Sequence, residues 1–222
     1  MFSAIAPRYD FLNRLLSAGR DRVWRREAIR ATALPAGGRF LDVCTGTADM
    51  ALEAARQFRD ARIVGVDFSR PMIALGRHKV KGAGLDGRIR LSVASAEVLP
   101  FSDGAFDAVA VAFGLRNVPD RRQGLSEMHR ILKPGGRAVI LEFTTPPGRL
   151  FRWIYLWYFH RVLPTIGRLI SGHGSAYSYL PNSVAEFPSP SELAGWMTEI
   201  GFREVSWRLL TGGIVAIHAG RR

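Results

Sequence analysis

The 222-residue chain holds a single cysteine, Cys44, so no intramolecular disulfide can form. No basic N-terminal segment leads into an apolar signal core, and together with the lone thiol this points to a cytosolic protein. No apolar run approaches the ~18 residues that a membrane-spanning helix needs. The nearest, Trp153 to Phe159, sits between Arg152 and His160. The histidines, His78, His129, His160, His173 and His218, show no metal-ligand spacing, and no metal is expected. Acidic residues are scarce: 19 Asp and Glu against 31 Lys and Arg give a formal charge of +12. Such a charge draws a protein toward nucleic acid or an anionic membrane surface without choosing between them. From Phe143 to Ala185 the shortage is complete, with neither Asp nor Glu. An Asn-Pro-Pro-Tyr base-handling motif and an appended RNA-binding module are also missing, so nucleic acid is not expected as a partner.

What is present suits one globular domain spanning residues 1–222, with hydrophobic residues at 47% and charged residues at 23%. From Arg39 to Leu141 short β-like runs (Phe40 to Val43, Arg62 to Val66, Ile89 to Val93, Phe106 to Ala112, Ala138 to Leu141) alternate with helical patterns over Ala48 to Phe58, Arg70 to Lys81 and Arg121 to Leu132. That rhythm predicts βαβ units. Ile63-Val64-Gly65-Val66 and Ala108-Val109-Ala110-Val111 are apolar at successive positions, as in strands covered on both faces. The expected fold is a doubly wound, mostly parallel α/β sheet. Lys133-Pro134-Gly135-Gly136 should end the third helix and turn the chain. Ser189-Pro190-Ser191-Glu192 opens a further helix over Leu193 to Ile200, closed by Gly201. Glu204 to Leu210 and Ile214 to His218, meeting at Gly212-Gly213, read as a C-terminal antiparallel hairpin. Two regions stand outside this rhythm: an arginine-rich helical segment over about 1–34, and the acid-free stretch over about 143–185, where arginines interleave with aromatic residues.

Ligands of doubly wound sheets bind at the carboxyl ends of the strands, beside the switch in strand order. The first strand ends in Asp42-Val43-Cys44-Thr45-Gly46-Thr47-Ala48-Asp49, where Gly46 permits close backbone approach and the next helix start offers N–H donors. Asp67, ending the second strand, lies where an acidic residue accepts hydrogen bonds from ribose hydroxyls. The Gly-x-Gly-x-x-Gly turn that seats a pyrophosphate is absent, which argues against a dinucleotide and for S-adenosylmethionine. After the third strand, Ser95 and Ala96 are placed to read an adenine edge. The cofactor-binding candidates are therefore Asp42, Gly46, Thr47, Asp67, Ser95 and Ala96.

Over nearly its whole length the chain resembles the quinone-biosynthesis C-methyltransferases. The resemblance is carried by Ala6-Pro7-Arg8-Tyr9-Asp10 with Asn13, the Asp42 to Asp49 turn, Ala96 to Phe101, Phe113-Gly114-Leu115-Arg116-Asn117-Val118, Glu127 to Gly136 and Leu141-Glu142-Phe143. Tyr177 to Ser183 and the Arg116-Asn117 pair are specific to the quinone enzymes within it. The resemblance implies a class I, Rossmann-like fold, with S-adenosylmethionine as methyl donor and Thr47, Asp67, Ser95 and Ala96 as its contacts. It further implies a polyprenylated quinol acceptor, demethylmenaquinol first and the methoxy-benzoquinol precursor of ubiquinone as the alternative. A non-catalytic scaffold in a quinone-synthesis complex is a further alternative. Thr45 and Ala48 replace glycines of the common cofactor turn, where tighter packing is expected. Ala112 replaces a serine of some relatives.

Carbon methylation requires an acceptor held in line with the methyl group and a site that stabilises a phenolate-like oxygen. Arg116, following the fourth strand, is the candidate for holding that oxygen, with pairing to Asp120 as its bland alternative. Tyr9 could hydrogen-bond the quinol or relay its proton if residues 1–34 fold over the site as a lid; His160, His173 and Tyr177 are further relays. The flap over 143–185 is the expected substrate entrance, with its arginines favouring an anionic membrane; an ordinary buried helix capped by solvated arginines is equally compatible. The expected place is the cytoplasm, peripheral to the inner membrane face, and a homodimer is left open.

Overall fold

The computed structural model describes residue 17 and residues 19–148, 152–153 and 183–222. Tyr9, His160, His173 and Tyr177, with most of the anticipated lid and flap, lie outside the described residues. In chain order the elements are α1 (Asp21–Ala31), β1 (Arg39–Val43), α2 (Asp49–Gln57), β2 (Arg62–Asp67), α3 (Arg70–Gly82), β3 (Ile89–Val93), β4 (Phe106–Ala112), α4 (Arg121–Ile131), β5 (Leu132–Phe143), α5 (Pro190–Ile200), β6 (Arg203–Leu210) and β7 (Val215–Arg221).

The strands form one sheet in the order β3-β2-β1-β4-β5-β7-β6. β1 to β5 pair in parallel, whereas β7 runs antiparallel to both β5 and β6. The order reverses between β1 and β4, so the turns following these two strands diverge and open a crevice above the sheet. Consecutive strand residues drive this architecture because each points to an opposite, covered face. Phe40, Ala108 and Val139 join the core beneath α1 and α2, while Leu41, Val109 and Ile140 join the one beneath α4 and α5.

Local chemistry sets the helix ends. Ser189 and Glu192 form a reciprocal capping box, Pro190 occupies the first turn, and Gly201 stops α5 in the left-handed region at φ 115°. Asp120 accepts the Gln123 N–H at 2.9 Å and starts α4. Trp24 ties α1 to the hairpin turn through a 2.8 Å hydrogen bond from its indole Nε1 to Thr211 Oγ1.

The Lys133-Pro134-Gly135-Gly136 turn interrupts β5 instead of preceding it. Phe106 already pairs with Leu132, and pairing resumes at Ala108 with Arg137, so the turn is an excursion inside the strand. The C-terminal residue holds it: Gly135 N donates to Arg222 O and Arg222 N to Gly136 O, both at 2.9 Å. The expected hairpin forms around Thr211–Gly213, but β7 extends to Arg221 because its backbone follows β5 as far as the Arg137 pair. Small residues at Ala219 and Gly220 concealed that extension.

Within β7, His218 is 2% exposed, with Nε2–H donated to Pro190 O at 3.0 Å and Nδ1 buried without a partner. Burial lowers its pKa to about 4. Because the folded state then binds fewer protons than the unfolded chain, this contribution is present above the ordinary histidine value of 6.5 and lost as pH falls toward 4. About 3 kcal/mol is at stake. Asp42 works in the opposite direction: burial raises its pKa to about 7, and its effect lowers stability as pH rises from 3.8 to 7. In His218→Gln, stability relative to wild type should rise steadily between pH 6.5 and pH 4, followed by urea denaturation at each pH. A constant difference across that window would contradict the assignment.

Candidate functional site

The crevice is built by the turns after β1, β2 and β4, with the segment after β3 at one end. One hollow is lined by Arg25, Gly46, Thr47, Asp49 and Asp67, and faced by Phe113, Gly114 and Asn117. A second, lined by Phe68, Ser95, Ala96 and Glu97, adjoins it across Cys44, Gly114 and Asn117, which border both. A continuous cleft thus runs from the N-terminal end of α2, past the end of β2, to the segment after β3.

The β1 turn achieves its shape through left-handed backbone at Cys44 (φ 54°), Gly46 (φ 56°) and Ala48 (φ 69°); across the cleft Phe113 adopts φ 58°. For the non-glycine residues such geometry costs of order 1–2 kcal/mol each. Thr45 answers the expectation of tighter packing: a Cβ at Gly65 would come within 2.8 Å of Thr45 Oγ1, so the threonine occupies space that the glycine leaves open. Thr45 Oγ1 also donates to Asp42 Oδ2 at 2.5 Å. Gly114 plays the same part opposite, since a Cβ there would collide with Cys44 Cβ.

Asp67 is anchored at the strand end, where Oδ2 accepts the Gly46 N–H and Oδ1 the Ser69 N–H, each at 2.9 Å. Burial raises its pKa, against the pull of those two donors. The anchored carboxylate keeps acceptor capacity for a pair of ribose hydroxyls. Thr47 Oγ1 accepts from Lys79 Nζ at 3.1 Å, and the same ammonium pairs with Asp49 at 2.5 Å. Ser95 Oγ accepts the Glu97 N–H at 3.2 Å, which fixes the short turn facing Phe68. Burial raises the Cys44 thiol pKa, so this cysteine stays protonated beside the turn.

Gly46, Thr47, Asp67, Ser95 and Ala96 therefore come together in one cleft, whereas Asp42 is placed differently. It is 1% exposed beneath the turn, and its Oδ2 is committed to Thr45 Oγ1 and to Ala51 N at 3.0 Å. The structure makes Asp42 the support of the cofactor turn rather than a surface of the pocket. Arg116 pairs with Glu142, not with Asp120: Nη1 lies 2.6 Å from Glu142 Oε1 and donates to Phe113 O at 2.7 Å. Asp120 is instead occupied in capping α4. Arg116 Nε remains buried without a hydrogen-bond partner. Of Tyr177 to Ser183, only Ser183 is described, and it is buried. Sequence reasoning missed Arg25 as a cleft residue, hidden among the arginines of α1, and Lys79, whose partners lie some thirty residues away. Cys44 and Asn117 carried a signal, since both stood in or beside quoted motifs.

The model of the ubiE/COQ5 methyltransferase family matches residues 1–222. A protein of Geobacter sulfurreducens named ubiquinone/menaquinone biosynthesis C-methyltransferase UbiE is 59% identical over 223 residues, covering 100% of this chain and 87% of its own. The demethylmenaquinone methyltransferase of Thermus thermophilus is 51% identical over 222 residues, covering 100% of both chains. Among solved structures, a SAM-dependent methyltransferase from Aquifex aeolicus superimposes with a TM-score of 0.66 at 16% identity, covering 96% of each chain, which supports the fold.

Proposed function

The chain belongs to the ubiE/COQ5 methyltransferase family, and from that premise we propose that it methylates a ring carbon of a polyprenylated quinol, with demethylmenaquinol as the first acceptor. The observation that carries this reading is spatial. Asn117, from the Arg116-Asn117 pair singled out as specific to the quinone enzymes, lines the cleft with Phe113 and Gly114, in the same hollow as the Gly46–Thr47 turn. The Thermus relative's name favours the menaquinone acceptor, and the Geobacter relative's name keeps the ubiquinone precursor as the second reading.

The residues present fit S-adenosylmethionine. Asp67 suits a ribose diol, Ser95 and Ala96 suit an adenine edge, and the Gly46 turn leaves a Cβ-sized space limited only by Met72 Cε at 3.7 Å. When bound, this donor supplies an electrophilic methyl group on a sulfonium. The chain's own part is to hold an electron-rich ring against it and exclude water. Phe113, 7% exposed, provides an apolar wall, and its strained backbone is fixed by Arg116 Nη1 at its carbonyl. Arg116 lies behind that wall and not on the lining of either hollow; its unmatched Nε–H is proposed as the donor to a quinol oxygen as negative charge develops there. Tyr9 is proposed to close over the acceptor and take part in moving its hydroxyl proton.

We further place the protein at the cytoplasmic face of the membrane, as a peripheral visitor. The +12 charge supports this, as does Trp153, 67% exposed beside Arg152. Among the described residues no helix is long and apolar enough to cross a membrane. One assay addresses both readings: the purified protein with methyl-labelled donor and reduced demethylmenaquinone carried in vesicles. Label should appear in the quinol, faster with anionic than with neutral lipid. No transfer by folded protein under reducing conditions would refute the acceptor; equal rates on both vesicles would remove the electrostatic contact. The methoxy-benzoquinol run in parallel separates the two acceptors.

A further inference from the structure

Arg25 combines features that ordinary helix arginines do not show. It is 9% exposed, its Nε is buried without a hydrogen-bond partner, and its guanidinium makes no hydrogen bond to a described residue. The nearest carboxylate, Asp21 on the preceding turn, stands 4.0 Å from that Nε, beyond hydrogen-bond reach. The buried Asp42 carboxylate acts on this charge through space, but its hydrogen bonds go to Thr45 and Ala51, so the guanidinium keeps donors for a further partner. The side chain lines the cleft with Gly46, Thr47 and Asp49, and it also borders a separate hollow with Asp21, Arg22 and Glu53. Its guanidinium carbon lies over the Phe113 ring, 5.2 Å from the centroid, within cation–π range.

Position along the cleft identifies the partner. The Ser95–Ala96 segment lies at one end, Asp67 in the middle and Arg25 with the start of α2 at the other. A ligand with its adenine at the first and its ribose at Asp67 brings its amino-acid portion to Arg25. Asp49, the acidic side chain at that end, is already neutralised by Lys79. Among the described residues no carboxylate at that end is within hydrogen-bond reach of Arg25, and the N-terminal end of α2 adds partial positive charge.

We propose that Arg25 binds the α-carboxylate of the methionine portion of the methyl donor, through charge-assisted hydrogen bonds from its guanidinium. The inference rests on S-adenosylmethionine being that donor. Arg25 is then a positioning residue: anchoring the far end of the molecule fixes where the sulfonium methyl points relative to Phe113 and the acceptor. It also ties α1 to occupancy of the cleft.

The test measures binding, not turnover. Calorimetric titration of wild type, Arg25→Ala and Arg25→Lys would use S-adenosylhomocysteine and its decarboxylated analogue, which differ by the carboxylate alone. Loss of the guanidinium should weaken S-adenosylhomocysteine binding about 10- to 100-fold. It should leave the analogue within about twofold, with lysine restoring part of the difference because it supplies charge without the planar fork. The readout is the ratio of the two affinities, so general loosening of the fold cancels. Binding of the analogue by Arg25→Ala independently reports an intact adenine and ribose half. If the alanine variant fails to bind it, Arg25→Met, which keeps an apolar stem over Phe113, gives the same ratio. An unchanged ratio, or no loss toward S-adenosylhomocysteine, overturns the inference. A wild-type protein that binds neither compound refutes the donor assignment itself, and with it the inference.

Discussion

Glu142→Ala should lower the unfolding free energy by about 3–5 kcal/mol, making it among the most damaging single substitutions in the protein. Glu142 is 1% exposed at the end of β5 and answers three donors. Oε1 accepts from Arg116 Nη1 at 2.6 Å and from its neighbour Phe143 N at 2.9 Å, and Oε2 accepts from Arg116 N at 3.3 Å. Without the carboxylate a guanidinium stays 8% exposed with its main counter-charge gone, held among the described residues by Phe113 O and by the Phe143 ring 5.4 Å away. Urea denaturation of Glu142→Ala measures the loss. The paired replacement Arg116→Leu with Glu142→Leu supplies the control: much of the stability should return, because the desolvation of both charges is removed together, while methyl transfer should not. Recovery of activity in that double variant would show that Arg116 only supports the loop. A single variant that unfolds within about 1 kcal/mol of wild type would mean that the pair is solvated.

Asp67→Ala should raise the dissociation constant for S-adenosylhomocysteine by at least about 100-fold, from the loss of two charge-assisted bonds to the ribose of about 1.5–3 kcal/mol each. A second effect compounds the first, because Asp67 also holds the Gly46 and Ser69 N–H groups and its removal loosens the turn that borders the other half of the ligand. Asp67→Asn removes the carboxylate without opening a cavity. An amide has one carbonyl oxygen for two backbone donors and presents its NH2 where acceptors are required, so it should bind nearly as poorly as alanine while preserving side-chain volume. Titration calorimetry on both variants decides the matter. Binding within tenfold of wild type in Asp67→Asn would exclude the carboxylate as the ribose anchor.

Much of the sheet was legible because its strands are buried on both faces. β4, Phe106–Ala112, shows uninterrupted apolar residues from Ala108 onward that no amphipathic helix would present. The cleft residues were legible for a related reason: Gly46, Asp67 and Ser95 each follow directly from where a parallel strand stops. Asp42 misled because a carboxylate one step before the turn looks the same in sequence whether it faces ligand or supports the loop. Only its bonds to Thr45 and Ala51 distinguish the two. The partner of Arg116 misled through distance: Asp120 is four positions away in sequence, but Glu142 arrives on the adjacent strand, 26 residues later. The start of β5 was concealed by Pro134 and the paired glycines, whose local signal for a turn was correct and whose place inside a paired strand depends on Arg222.

The interlock of Thr45 with Gly65 bears on how such a cofactor turn can change over evolutionary time. A methyl group at position 65 would meet Thr45 Oγ1 at 2.8 Å and Leu91 Cδ2 at 2.6 Å, so a side chain there needs space from both neighbours at once. Glycine at 45 alone would leave the Leu91 contact in place. Position 65 is therefore free to vary only together with 45 and 91, even though each of the three residues taken alone is an ordinary one.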